Sequence, residues 1–314
     1  RLVIALLLAL LCSCGQPDEP AATGNSLQGT ITVSGAWALY PMMVRWGEVF
    51  QAQHPDVVFN ISAGGAGKGM ADALADAVDI GMVSRAVYAE EVARGAFAVA
   101  VAKDAVFLTV NAANPVWAEL ATQGVTREML IGIYISGEVT NWGQVVGRPE
   151  VTEPIHIFTR SDAAGAPATW AEYLGQKQED LLGVGVYGDP GLLDAVAKDP
   201  LGIGYNNLNY AFDMDTGLPV AGTRVVPLDG DGNGRITPDE QLDTKAQAVQ
   251  AVAANVYPSP PARDLNLVMH GAPAELVHAF LVWILTDGQA YLEEAGYVAL
   301  PAAQLAAELA KLEP

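Results

Sequence analysis

From residue 30 onward the chain switches repeatedly between short β-branched runs and stretches whose apolar residues recur at helical spacing. A strand repeats every two residues and a helix every 3.6 or so. Regular alternation of the two therefore predicts α/β layers with mainly parallel strands. Ile31–Val33 reads as a strand, and the helix after it carries Met42, Met43, Trp46, Val49 and Phe50 on one face, a core stripe. Val57–Ile61 gives a second strand; Gly64, Gly65 and Gly67 lead into a helix through Leu74; Asp79–Val83 gives a third strand. A second set starts near Asn111 and Pro115, with strands at Ile155–Thr159 and Gly202–Tyr205 and a helix over 167–174 between them. Asp264–Met269 is strand-like, and helices over 275–285, 289–295 and 302–311 are expected to return to the first set. The result is two lobes, 29–111 with 265–314 as lobe 1 and 112–264 as lobe 2, hinged near 106–112 and 261–267.

The N-terminus has a different character. Arg1 precedes an unbroken apolar run, Leu2–Leu11, which has the shape of a signal peptide and is too short to span a bilayer. It ends in Leu11-Cys12-Ser13-Cys14, a lipoprotein-like cleavage box with Cys14 as the acylated residue. Residues 1–14 are therefore the expected signal peptide and 15–28, rich in Pro, Ala, Gly and Asn, a flexible tether. Both cysteines lie in the signal segment, so neither a disulfide nor thiolate metal ligation is expected in the folded domain.

Charge and motifs exclude several function classes. A net charge of -20 opposes nucleic-acid binding, which needs clustered cations. The four histidines, His54, His156, His270 and His278, lack metal-ligand spacing, and no Gly-x-Ser-x-Gly nucleophile elbow occurs. A binding protein, not an enzyme, is the expectation.

Three strand-to-helix turns could capture an anion. Ser34–Pro41 and Ser62–Lys68 are rich in small residues, which let backbone N–H groups at a helix N-terminus approach a negative charge. The second is not a P-loop, because Ser62 stands at its first glycine position and Gly69 where magnesium needs Ser or Thr. The third, Thr159–Gly165, brings Arg160, a two-pronged donor, to a helix start with Asp162 and Gly165. Ser84-Arg85, just past the third strand, adds a hydroxyl and a cation.

With these motifs the chain resembles the periplasmic phosphate-binding proteins of ABC transporters. The resemblance spans about 31–300 and rests on the openings at Gly35 and Gly64, the Asp79–Arg85 stretch, Arg160-Ser161-Asp162 and Leu201–Tyr205. It implies a two-lobed type II periplasmic-binding-protein fold, with an oxyanion held in the interlobe cleft and delivered to a permease by a monomer on the extracytoplasmic side of the membrane. The implied binding set is Arg160 and the hydroxyls of Ser84 and Ser161, with Arg85 nearby, and the backbone at Ala38, Leu39, Gly64, Gly65, Gly165 and Ala166. Asp162 either accepts from a protonated oxyanion or orients Arg160. The family usually has Ser or Thr where this chain has Ala38, Ala66, Ala164 and Ala166, and Ser at Gly64. Each lost hydroxyl bond is worth about 0.5–1.5 kcal/mol. Lys68, Arg85 and Lys103 are candidate replacements, or else the ligand is a different oxyanion or an organic phosphate. The departures also define a rival, a calcium-stabilised surface scaffold or adhesion protein that has lost its solute.

Calcium enters through Asp229–Glu240, which fits a twelve-residue calcium loop. Asp229, Asp231 and Asn233 offer side-chain oxygens, Gly234 makes the sharp turn, Arg235 offers its carbonyl and Glu240 closes the site. The run 224–228 before it reads as strand, so this is a calcium loop without an EF-hand's first helix, with a structural role. Thr237, Pro238 and Glu240 form a capping pattern that predicts a helix start.

Overall fold

The computed structural model describes residues 27–313; the signal segment with Cys14 and most of the tether lie outside the described residues. Nine strands among the described residues form one sheet: β1 Gly29–Gly35, β2 Val57–Ala63, β3 Ile80–Val83, β4 Ala96–Asn111, β5 His156–Arg160, β6 Val184–Val186, β7 Gly202–Asn207, β8 Thr223–Val225 and β9 Ala262–His270. Their order is β2-β1-β3-β9-β4-β7-β5-β6, with β8 on β4. β1 pairs in parallel with β2 and β3, and β5 with β6 and β7. The expectation of mainly parallel strands holds for β1 to β3 and for β5 to β7 only. β9 runs antiparallel to β3 and β4, and β4 antiparallel to β7 and β8, because these two strands carry the chain across and back.

Two hydrophobic cores lie along this path. The first gathers Ile31, Val33, Met42, Met43, Trp46 and Phe50 with Phe280 and Ile284 from helix Glu275–Leu285. The predicted stripe on helix Tyr40–Gln53 faces this core. Trp46 also donates from Nε1 to Gly288 O at 2.8 Å, so its one polar atom is satisfied where it is buried. The second core centres on Trp170, stacked on Tyr205 at 5.5 Å, with Tyr134 meeting both edge-on. Along β4 the core changes between Ala102 and Ala105, and along β9 between Ala262 and Leu265. Residues 106–111, expected at the hinge, are instead sheet in the second core, since β7 and β8 pair there.

Two expected helices take other forms. Residues 287–291 are a 3-10 turn. Residues 237–240 make only a turn, and the helix starts at Lys245, capped by Thr244, whose side chain accepts from Gln247 N. No helix among the described residues is long and apolar enough to cross a membrane.

Candidate functional site

Arg160 ends β5, and helix Gly165–Tyr173 begins five residues later. The strand end is pinned from lobe 2: Thr159 Oγ1 and Tyr205 OH lie 2.6 Å apart, and the Arg160 N–H donates to the same Tyr205 hydroxyl at 3.3 Å. The guanidinium is fully buried. Its Nε donates to Asp162 Oδ1 at 2.7 Å, one terminal nitrogen donates to Asp162 Oδ2 at 2.5 Å, and the other to Asp189 Oδ2. Asp189 is itself fully buried and also accepts from the backbone and side chain of Asn207, at 3.1 and 2.9 Å. Burial disfavours the Arg160 charge, but Asp189 and Asp162 more than offset it and raise the pKa. Burial likewise pushes Asp162 up, and Arg160 overrides it, holding the carboxyl below its ordinary range.

Asp162 makes the orienting contact that is one of its two expected roles, forked across one edge of Arg160, and its Oδ1 also accepts from Gly188 N at 3.1 Å. Arg160 has five N–H groups; three are committed, leaving two for a ligand. With two carboxylates on one guanidinium, the cluster carries one net negative charge. Any oxyanion held here needs donors from the turns around it.

Those turns meet across the cleft. Gly67 N donates to Ala163 O at 2.9 Å, joining the lobe 1 turn to the Arg160 turn. Gly65, at φ +94°, lies so close that a Cβ there would sit 2.7 Å from Ala163 O and 3.1 Å from Asp162 Oδ2. Gly165 abuts Ser84, whose Oγ would be 2.1 Å from an added Cβ. Trp37 meets Tyr187 edge-on at 6.1 Å beside the same junction. Ser84, Gly65, Asp162 and Gly165 are thus brought together, with Ala166 buried in the helix's first turn.

Other expected donors are spent. The amides of Gly64 and Gly65 both donate to Gly35 O at 2.9 Å, and that of Leu39 to Ala36 O at 3.2 Å, because the turns close on themselves before they meet a ligand. The Ala38 carbonyl accepts from Tyr297 OH at 2.6 Å. Ser161 is exposed beside Gly185, its amide paired with Val186 O. The candidate replacement cations are paired elsewhere: Lys68 with Asp72, Arg85 in a fork with Glu91 at 2.7 and 2.9 Å, and Lys103 with Asp264 at 2.5 Å. Asp189 escaped the sequence reading, because an acidic residue in a helix's first turn is ordinary and its partner lies 29 residues earlier.

At the far side of lobe 2, the carboxylates of Asp229, Asp231 and Glu240 come within 4.8 Å of one another. Asp229 is buried and accepts from Gly232 N and Gly234 N, each at 2.9 Å, which wraps the loop around it. Asn233 Oδ1 accepts from Arg235 N at 2.8 Å, and Ile236 N donates to Thr122 O at 2.9 Å, anchoring the loop to the lobe. The donor set is all oxygen and anionic, which fits a hard divalent cation.

The chain matches the PBP superfamily domain over residues 20–288. The phosphate-binding protein PstS of Bacillus subtilis is 27% identical over 71% of this chain and 76% of its own length; PstS of Methanocaldococcus jannaschii is 26% identical over 96% and 90%. Among solved structures, a phosphate ABC transporter substrate-binding protein from Clostridium perfringens, with bound phosphate, superposes at a TM-score of 0.71, with 23% identity, over 87% of this chain and 100% of that one. The two lobes joined by β4 and β9 match the fold of that structure, and the chain belongs to the PBP superfamily domain family.

Proposed function

We propose that this protein is an extracytoplasmic solute-binding protein that captures phosphate or a similar oxyanion between its lobes and hands it to an ABC transporter permease. The observation that carries this reading is the buried Arg160, held at a strand-to-helix turn where lobe 1 and lobe 2 meet, with two N–H groups uncommitted. The relatives named for phosphate binding or phosphate transport support the ligand class. Asp162 and Asp189 fix the fork; Ser84 supplies a buried hydroxyl; closure of the turns excludes water. The chemistry is binding alone, and the protein acts as a monomer. Acylated Cys14 anchors it to the membrane, and replacing that residue with serine should move the protein to the soluble fraction. Calcium in the 229–240 loop braces lobe 2, with Asp229, Asp231, Asn233 and Glu240 as side-chain ligands and Arg235 through its carbonyl.

Calorimetric titration of the purified protein with phosphate, arsenate, sulfate and molybdate tests the reading. Saturable binding of at least one is expected. If none binds at millimolar concentration, and restoring hydroxyls at Ala164 (to Ser) and Ala166 (to Thr) creates no binding, the scaffold reading replaces this one.

A further inference from the structure

A second interlobe cavity, of about 390 Å³, lies on the side of helix Gly165–Tyr173 where Thr169 looks onto the crossing strands. Thr169 is one helical turn beyond Gly165 and on the same face. In a chain with only sixteen Lys and Arg residues, four of them, Arg85, Lys103, Arg263 and Lys311, line this one space. Its acidic lining is Glu172 and Asp264.

The cations differ in how well they are compensated. Arg85 is forked by Glu91, Lys103 meets Asp264 at 2.5 Å and Lys311 meets Glu308 at 2.6 Å. Arg263 is different. Its side chain is 6% exposed, its only carboxylate contact among the described residues is Asp104 at 3.4 Å, and the same nitrogen donates to Asn207. Its Nε and its other terminal nitrogen are buried without a hydrogen-bond partner among the described residues, and so is Thr169 Oγ1 on the same cavity. Buried donors are left unpaired in few places in a native protein. Two residues that carry such donors, Thr169 of lobe 2 and Arg263 of β9, border this one space.

We infer that this cavity is a second anion site, distinct from the Arg160 cleft, and that it takes a small organic phosphate. The volume lies within the range of small-molecule pockets and exceeds what a bare oxyanion fills. The lining combines guanidinium, ammonium and hydroxyl residues, a mixed donor set that suits the several oxygens of a phosphate. Arg85 and Lys311 belong to lobe 1, Thr169 to lobe 2, and Lys103 and Arg263 to the crossing strands β4 and β9. An anion bridging them stabilises the closed arrangement of the lobes and so acts as a positive effector of the main cleft.

The test is calorimetry on the whole protein with glycerol 3-phosphate as probe and malate as the carboxylate comparison. Glycerol 3-phosphate should bind saturably, should still bind the Arg160→Gln variant, and should bind about two- to tenfold more weakly to Thr169→Val, which keeps shape and removes only the hydroxyl. Arg263→Gln should weaken it by about tenfold or more; thermal unfolding of that variant shows whether it is folded, and Thr169→Val decides the question if it is not. Absence of saturable binding at millimolar concentration overturns the proposal. So does binding that Arg160→Gln abolishes and Thr169→Val leaves unchanged, since the probe would then occupy the main cleft. Tighter binding of malate than of glycerol 3-phosphate overturns the phosphate assignment.

Discussion

Gly165→Ala should hinder closure of the lobes without weakening either one. The position opens helix Gly165–Tyr173, its backbone lies outside the left-handed region, and alanine is the better helix former by up to about 1 kcal/mol. The obstacle is in the other lobe. An added methyl would stand 2.1 Å from Ser84 Oγ, 2.3 Å from Ser84 O and 2.7 Å from Ser84 C, where real Cβ contacts essentially never fall below 3.0 Å. Rotating the serine side chain relieves only the first of these, because the other two are backbone. The lobes must part by roughly an ångström at this point, or accept an overpacking cost of about 1–3 kcal/mol. That cost exists only in the closed form, so a ligand that needs closure loses the same amount, roughly 5- to 140-fold in affinity at about 1.4 kcal/mol per decade. Calorimetry with the best-binding oxyanion reads the affinity, and thermal unfolding without ligand reads the lobes. Unchanged affinity refutes the reasoning, and so does an affinity loss accompanied by an equal loss of stability in the ligand-free protein.

Arg160→Ala should weaken oxyanion binding by at least about tenfold to a hundredfold, as expected for a lost charged hydrogen bond pair. It should also lower the melting temperature, because it strands the fully buried Asp189 without its cation; Arg160→Lys should recover little of the binding, and full recovery would contradict the fork geometry. Calcium should raise the melting temperature by mass action, and Glu240→Gln should remove that increment; a parent whose melting is unmoved by chelator would show that the loop is only a turn. Burial pushes the Asp104 carboxyl up to about 6 from its ordinary 3.8, against the opposing pull of Arg263. Because the folded value is the higher one, this group's stabilising contribution is full below pH 3.8 and is lost as pH rises through about 6, a change of about 3 kcal/mol. Denaturant unfolding at pH 4 and pH 7 should show that difference in the parent and not in Asp104→Asn; equal slopes in the two proteins would remove Asp104 as its source.

What the sequence revealed and what it hid divide along the range of the interactions. Arg160 and Asp162 were legible because a cation, an acid and a helix start within six residues form a local unit. The spending of the Gly64 and Gly65 amides was not, since the carbonyl that takes them belongs to Gly35, on a strand about thirty residues earlier. β4 escaped for another reason. Its sixteen residues serve two sheets and are buried on both faces almost throughout, so the polar alternation that announces a half-exposed strand is missing. The helix expected at Thr237 shows local signals in competition. Thr237 and Glu240 form the predicted side-chain contacts, Glu240 Oε2 accepting from the Thr237 amide and hydroxyl at 3.0 and 2.8 Å, yet only a turn results. Seven residues on, Thr244 and Gln247 make the same capping box, and there the helix forms, because Ala248, Ala251 and Val252 follow with an apolar face that the second core can bury. A cap satisfies free N–H groups but does not supply the burial that makes a short helix stable. By the same logic Glu240, not consumed by a helix, keeps its carboxylate beside those of Asp229 and Asp231.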